Sequence, residues 1–333
     1  MSSVSGQDDR GQGPRTPAFA WVSQRVAERI FLLNQYRRLR RVRHLRQPLR
    51  DRAALLAAVK QKHLVFTITA GRTGTTYVTR LAELFPDTVS LHEPQPSYVH
   101  FLRQVQHRPQ LAYTFLLEYK LPFIAAAQAS RYVETSHLVG KGFLEPLLDL
   151  GLRPAVLLLR REPRAIARSL LTRRTVPGRG KLGYKYLIHP GDPSVLPLPG
   201  WRARSDYQLC FWYALEMERR QRVYGDLLRN TGCAVVDATA EELHEPRRFL
   251  AAAADLGLLD AVTDRDALLA RHAEVSARLY NYNRRPPALV AAPDVAEEAV
   301  WAAVAPNAPW LREAVERRYA PPAPLTTLAA SRS

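Results

Sequence analysis

"TITAGRTGTTYVTRL", Thr67 to Leu81, joins the end of an apolar run to the start of a helical pattern. A turn between a strand's carboxyl end and a helix aims several backbone N–H groups at one spot, which also feels the positive end of the helix dipole. Gly71 and Gly74 let the backbone approach an anion closely. Thr75 and Thr76 add hydroxyl donors, and Arg72 adds a fixed charge. The stretch Ala70 to Thr76 therefore reads as a cradle for phosphate or sulfate. The common nucleotide loop, G-x-x-x-x-G-K-[ST], places Lys on the β/γ-phosphates. Here the two glycines are closer together, and Thr75 stands where that Lys would follow. No acidic strand end suggests itself as a holder of Mg²⁺, so a nucleoside triphosphate donor is disfavoured.

The surrounding pattern is strand, helix, strand, helix. "HLVFTIT" (His63–Thr69), "TVSL" (Thr88–Leu91), "RYVET" (Arg131–Thr135), "RPAVLLL" (Arg153–Leu159) and "CAVVDAT" (Cys233–Thr239) read as strands, with helical stretches between them. This rhythm predicts an α/β fold, a three-layer sandwich with a central parallel sheet covered on both faces. "RREPRAIARSLLTRR" (Arg160–Arg174) repeats the cradle at a second strand end, with Arg161 at the exit, Pro163 suited to a first helical turn and Ser169 two turns on. Arg164 and Arg168 place further charge near that helix start. Two cradles on one sheet point to a ligand with two separated anionic groups.

These motifs resemble those of the sulfotransferases that use 3′-phosphoadenosine-5′-phosphosulfate (PAPS). "AGRTGTTYV" is similar to the family's 5′-phosphosulfate loop, with Thr73 in place of the usual Ser. "LLRREPRAIARS" is similar to its 3′-phosphate motif, with Glu162 in place of Asp and Ser169 eight residues after Arg161. The match spans about Leu64 to Arg174. Arg72 stands where the cytosolic phenol and steroid enzymes usually have Lys, which places the chain nearer the carbohydrate, glycolipid and tyrosine-directed branches. The resemblance implies a P-loop-like sulfotransferase fold, PAPS as co-substrate and no metal. It also implies donor contacts from Gly71, Arg72, Thr73, Gly74, Thr75, Thr76, Arg161 and Ser169.

Sulfuryl transfer to a hydroxyl needs a base. Glu93, in "LHEPQPSY" after the second strand, is one candidate, and several branches of the family keep a Glu there. His137, in "YVETSHLVGKGF" after the third strand, is its rival. Strand alternation turns His92 away from Glu93's side. Lys141 is a candidate for the sulfonate. Trp212 and Tyr213 suit core packing better than adenine contact. Tyr280, Asn283, Arg284 and Arg285 form a candidate flap over the nucleotide. The Gly/Pro-rich stretch Thr175 to Trp201, with Arg179, Lys181, Lys185 and His189, is a candidate acceptor lid. A hydroxyl of a carbohydrate, glycolipid or small molecule is the expected acceptor.

The chain has 333 residues and a formal net charge of +17, which favours anionic partners. Residues 1–16 are polar, residues 17–60 form a basic helical extension, residues 61–320 the α/β domain and residues 321–333 a tail. The extension carries Val22, Val26, Ile30 and Leu33 at helical spacing, then Arg37, Arg38, Arg40, Arg41, Arg43 and Arg46. It reads as an amphipathic helix packed on the domain, as a peripheral contact with anionic membrane, or as a nucleic-acid contact. No aromatics interleave with the basic run, so no nucleic acid is expected. Two cysteines, Cys210 and Cys233, form no redox or metal motif. With no bilayer-length apolar run, the expected setting is cytoplasmic. A kinase or other phosphotransferase, and a basic binding protein without activity, are the alternatives.

Overall fold

In the computed structural model, the described residues are 42–278 and 293–320, together with Val26, Arg40, Tyr280 and Val290. Five strands form one parallel sheet: β1 (His63–Ile68), β2 (Thr88–His92), β3 (Arg131–Thr135), β4 (Ala155–Arg160) and β5 (Val235–Thr239). Their order is β2-β3-β1-β4-β5, with Phe66 opposite Val156 on one side of the centre and Val65 opposite Val133 on the other. β3 falls where the sequence places it, and the other strands differ from their expected bounds by a residue or two.

Continuous apolar runs make these strands because both faces of the sheet are covered. Val65, Leu157, Leu159 and Val236 pack under α2 (Thr75–Ala82), α5 (Pro246–Asp255) and α6 (Arg265–Ser276). On the opposite face Leu64 and Phe66 meet α1 (Arg52–Lys60), while Ile68, Val156 and Leu158 meet α4 (Asp206–Asn230). α3 (Pro163–Thr172) and α7 (Pro293–Val304) share a further apolar cluster with α4. The architecture is thus a three-layer α/β sandwich. α4 begins with a capping box between Ser205 and Gln208, so its register on the sheet is set at its first turn. Cys210 and Cys233 are both buried thiols in these cores.

The helical stretch between β2 and β3 is broken. It divides at Arg108–Pro109 into Leu102–His107 and Gln110–Phe115, followed by a π-helical turn, Leu116–Lys120. That turn delivers Lys120 to Glu134 on β3, where both carboxylate oxygens lie 3.0 Å from Nζ. Both side chains are fully buried, and the Tyr132 hydroxyl completes the cluster by donating to Glu134 at 2.7 Å.

Most of the basic extension, residues 17–60, lies outside the described residues, as do Asn283, Arg284 and Arg285. Within the described part, Arg46 pairs with Glu118. No helix among the described residues is long and apolar enough to cross a membrane.

Lys120→Met should leave the Glu134 carboxylate buried without its cation. A loss of about 3–5 kcal/mol in unfolding free energy is expected, read from the urea denaturation midpoint.

Candidate functional site

The chain leaves β1 toward β2 and leaves β4 toward β5, so connections depart in opposite directions from two adjacent strands. In open α/β sheets the crevice beyond such a switch point is where ligands bind. Both cradles lie there. A cleft of about 670 Å³, within the usual range of small-molecule sites, is lined by Gly71, Arg72, Thr75, Glu93, His137, Arg161 and Ser169, among others.

α4 holds the two strand ends together. The Gln221 amide donates to the carbonyls of Ile68, at 2.7 Å, and Leu159, at 3.1 Å. The Tyr213 hydroxyl donates to the carbonyl of Ala70 at 2.7 Å. Tyr213 and Trp212 are fully buried, in agreement with their core reading. Gly71, Arg72 and Gly74 then take φ of +79°, +62° and +90°. The glycines hold such angles freely. A non-glycine residue there stores about 1–3 kcal/mol of strain, a cost met most often at functional sites. Glu93 is a second such residue, at φ +46°.

The two motifs touch. Arg161 donates from Nη1 to the carbonyl of Arg72 at 2.6 Å, and Arg72 donates from Nε to the Ser169 hydroxyl at 3.2 Å. Burial, with the charges of Arg173 and Arg161 nearby, pulls the Arg72 pKa down to about 10. Four guanidinium groups, those of Arg72, Arg161, Arg168 and Arg173, line the cleft against the carboxyl groups of Glu93 and Glu162.

Glu162 corrects the expectation of two equal cradles. Its carboxylate accepts from the backbone N–H groups of Arg164, at 3.1 Å, and Ala165, at 2.8 Å, so it caps α3 itself. The second helix start is therefore satisfied from within, and anion binding on that side falls to guanidinium and hydroxyl groups. α2 starts at Gly74 with no side-chain cap. Arg164 is diverted too, pairing with Glu297 at 2.7 Å. Thr73 turns inward to the Thr69 hydroxyl at 2.5 Å, so its hydroxyl does not face the cleft. Thr76 is exposed and lies outside the cleft lining, whereas Thr75 is part of it.

Glu93 and His137, the two candidate bases, are in contact: Oε1 of Glu93 lies 3.2 Å from Nε2 of His137. Burial raises the Glu93 pKa, opposed by the charges of His92 and Lys141. Burial lowers that of His137 strongly, helped by Lys141. His92 also lines the cleft, contrary to the alternation rule, because the chain turns at Glu93. Lys141 is fully buried behind His137 and does not reach the cleft, which corrects its expected contact with sulfonate.

Part of the Thr175 to Trp201 segment closes the far wall, through Thr175, Leu182, Tyr186 and Leu187. Its expected basic residues are partly taken up within the protein, while Lys181 is exposed. Arg179 pairs with Asp206, His189 is buried beside Asp192, and Lys185 donates to the Tyr186 hydroxyl. Arg173 is a cleft residue that the sequence reading passed over. Its signal was the helical spacing Ala165, Ser169, Arg173, which sets one face of α3 toward the crevice. Among the described residues, no group of three or more His, Cys, Asp or Glu side chains is placed to hold a metal ion.

No protein-family model matches the chain, and no curated protein matches it in sequence.

Gly71→Ala should be destabilising by more than about 1 kcal/mol, since φ is positive and an added Cβ would lie 3.2 Å from the Cβ of His137. Thermal melting of the variant against the parent protein checks this.

Proposed function

We propose that this chain is a sulfotransferase that moves a sulfuryl group from PAPS to a hydroxyl of a carbohydrate, glycolipid or small-molecule acceptor. One observation carries the reading. The Arg72 turn and the Arg161–Ser169 motif form a single hydrogen-bonded cationic cleft, with the Glu93–His137 pair on its rim. A fold of this general kind hosts many activities, so the argument rests on the site.

In this reading the first turn of α2 and Arg72 receive the phosphosulfate, and Arg161 with Ser169 receives the ribose 3′-phosphate. The acceptor oxygen attacks sulfur in line with the departing phosphate oxygen. The new O–S bond forms as the bridging S–O bond breaks, and adenosine 3′,5′-bisphosphate leaves. Arg72 meets the negative charge that grows on that leaving oxygen. Its guanidinium is already positioned by Ser169 and held in a strained turn, so little reorganisation is needed during the reaction. The acceptor proton passes to the Glu93–His137 pair. Nothing in this sequence of steps calls for a metal ion.

Calorimetry with adenosine 3′,5′-bisphosphate against ATP, each with and without Mg²⁺, tests the donor. Tighter, Mg²⁺-independent binding of the bisphosphate is expected, and a preference for Mg²⁺–ATP would sink the reading. Arg161→Ala should weaken bisphosphate binding by about 1–3 kcal/mol, the range for a lost charged hydrogen bond. Turnover with PAPS should fall as pH is lowered through the Glu93 pKa. Because that pKa is raised, the acid limb should lie above 4.5 and should vanish in Glu93→Gln. Glu93→Gln should also lower turnover about 10²–10⁴-fold, measured at saturating PAPS.

A further inference from the structure

Behind the rim of the cleft, a chain of contacts runs from the protein interior to Glu93. Lys141 is fully buried, and its Nζ lies 2.7 Å from Nδ1 of His137 and 2.8 Å from the carbonyl oxygen of Tyr186. The Tyr213 ring lies on another side of the same amino group, 5.1 Å away at its centroid. Nε2 of His137 lies 3.2 Å from Oε1 of Glu93. Gly71 packs against the imidazole so closely that a Cβ would sit 3.2 Å from Cγ of His137, which restricts the ring.

A neutral imidazole donates from one nitrogen and accepts at the other. An ionised carboxylate only accepts, so the contact with Glu93 calls for the proton on Nε2. Nδ1 then presents a lone pair, and the Lys141 amino group, whose pKa burial pulls well down, is its matching partner because it has an N–H to donate whether charged or neutral. With the proton on Nε2 the contacts agree along the whole chain: Lys141 donates to Nδ1 of His137, and Nε2 turns its proton to the side of the Glu93 carboxylate, 3.2 Å away. We propose that Lys141 is a positioning residue acting through His137, fixing the imidazole with its proton on Nε2 so that Glu93 is held to take the acceptor's proton. His137 is then a donor to the base and not the base itself. In the transfer step the acceptor O–H proton goes to the Glu93 oxygen while its O–S bond forms, and the imidazole keeps its own proton. The low proton affinity of the buried His137 ring suits a group that stays neutral throughout. The link to Tyr186 also ties this chain to the last residue of the Gly180–Tyr186 helix in the far wall. The assignment rests on the sulfotransferase reading for what Glu93 deprotonates, but not for the position of the proton on the His137 ring.

Two measurements test it separately. In protein labelled with ¹⁵N-histidine, the resonances of His137, identified among the nine histidines by their loss in His137→Gln, should show a neutral ring protonated at Nε2. A ring protonated at Nδ1 would overturn the proposal. Lys141→Met should mix the two tautomers, and an unchanged Nε2–H ring in that folded variant would remove Lys141 from the scheme. The second measurement is steady-state turnover with PAPS. Asn at position 137 keeps a polar group near Nδ1 only, whereas Gln places an amide N–H near Nε2. His137→Asn should therefore lower kcat about 10–100-fold at little change in the KM for PAPS, and His137→Gln should recover much of that loss. Equal, severe losses in both variants would make His137 the base. A protein that shows the Nε2–H ring yet has no turnover with PAPS would leave the relay standing and refute the sulfotransferase reading.

Discussion

The site depends on one side-chain amide. Gln221, in the middle of α4, bonds to the last carbonyl of β1 and to the carbonyl of Leu159 near the end of β4. These are the two strands from which the chain departs in opposite directions, so their carboxyl ends splay and leave a crevice. With Gln221 buried, no water competes for those carbonyls, and the amide fixes their separation. Tyr213, two turns earlier on the same helix, anchors Ala70 just beyond β1. This clamp lets the next residues adopt positive φ at Arg72 without the turn relaxing. Strain persists only where the surroundings over-determine it. Glu93 meets the same condition through its backbone bond to Thr135 and the contact with His137.

The electrostatics are local rather than global. A net charge of +17 says little about where an anion binds, since many arginines are paired: Arg160 with Glu218 and Asp237, Arg164 with Glu297, Arg220 with Glu216. The cleft differs because the guanidinium groups of Arg72, Arg161, Arg168 and Arg173 gather along one wall whose lining carboxylates are Glu93 and Glu162. Its two halves also work differently. α2 offers backbone N–H groups at an uncapped start, while α3 closes its own start with Glu162. A ligand spanning both would meet backbone dipoles on one side and guanidinium and hydroxyl groups on the other.

Much of this was legible in the sequence, and the reasons for the rest are physical. Strands showed because a sheet covered on both faces needs unbroken apolar runs, and "AVLLLR" has no other use. The Arg72 turn and the Arg161–Ser169 motif showed because each is set by neighbours along the chain. The pairing of Arg164 with Glu297 and the turn of the Thr73 hydroxyl to Thr69 are not written locally, since each depends on a partner or geometry fixed by the folded structure. The Glu162 cap is written locally, in its carboxylate just before Pro163. Glu93 and His137 were read as alternatives because sequence lists residues one after another. The parallel pairing of β2 with β3 brings both ends to one rim and makes them partners.

The far wall shows how counting charges along a segment can mislead. Thr175 to Trp201 reads as an acceptor lid carrying basic residues, yet Arg179 bonds to Asp206 and to the carbonyls of Arg202 and Arg204. Arg103 reaches in from the Leu102–His107 helix to hold Asp192 at 2.7 Å and the Leu187 carbonyl at 2.9 Å. These bonds pin the segment at both ends and turn its cations outward or inward to partners. What remains facing the cleft is Thr175, Leu182, Tyr186 and Leu187, a mostly apolar surface beside a cationic one. A molecule seated between them is gripped by charge on its anionic side and by contact area on the other. Under the sulfotransferase reading, the donor nucleotide is the anionic side. The acceptor then meets leucine and tyrosine, a surface that suits the C–H face of a sugar ring or a lipid chain better than a second cluster of charges.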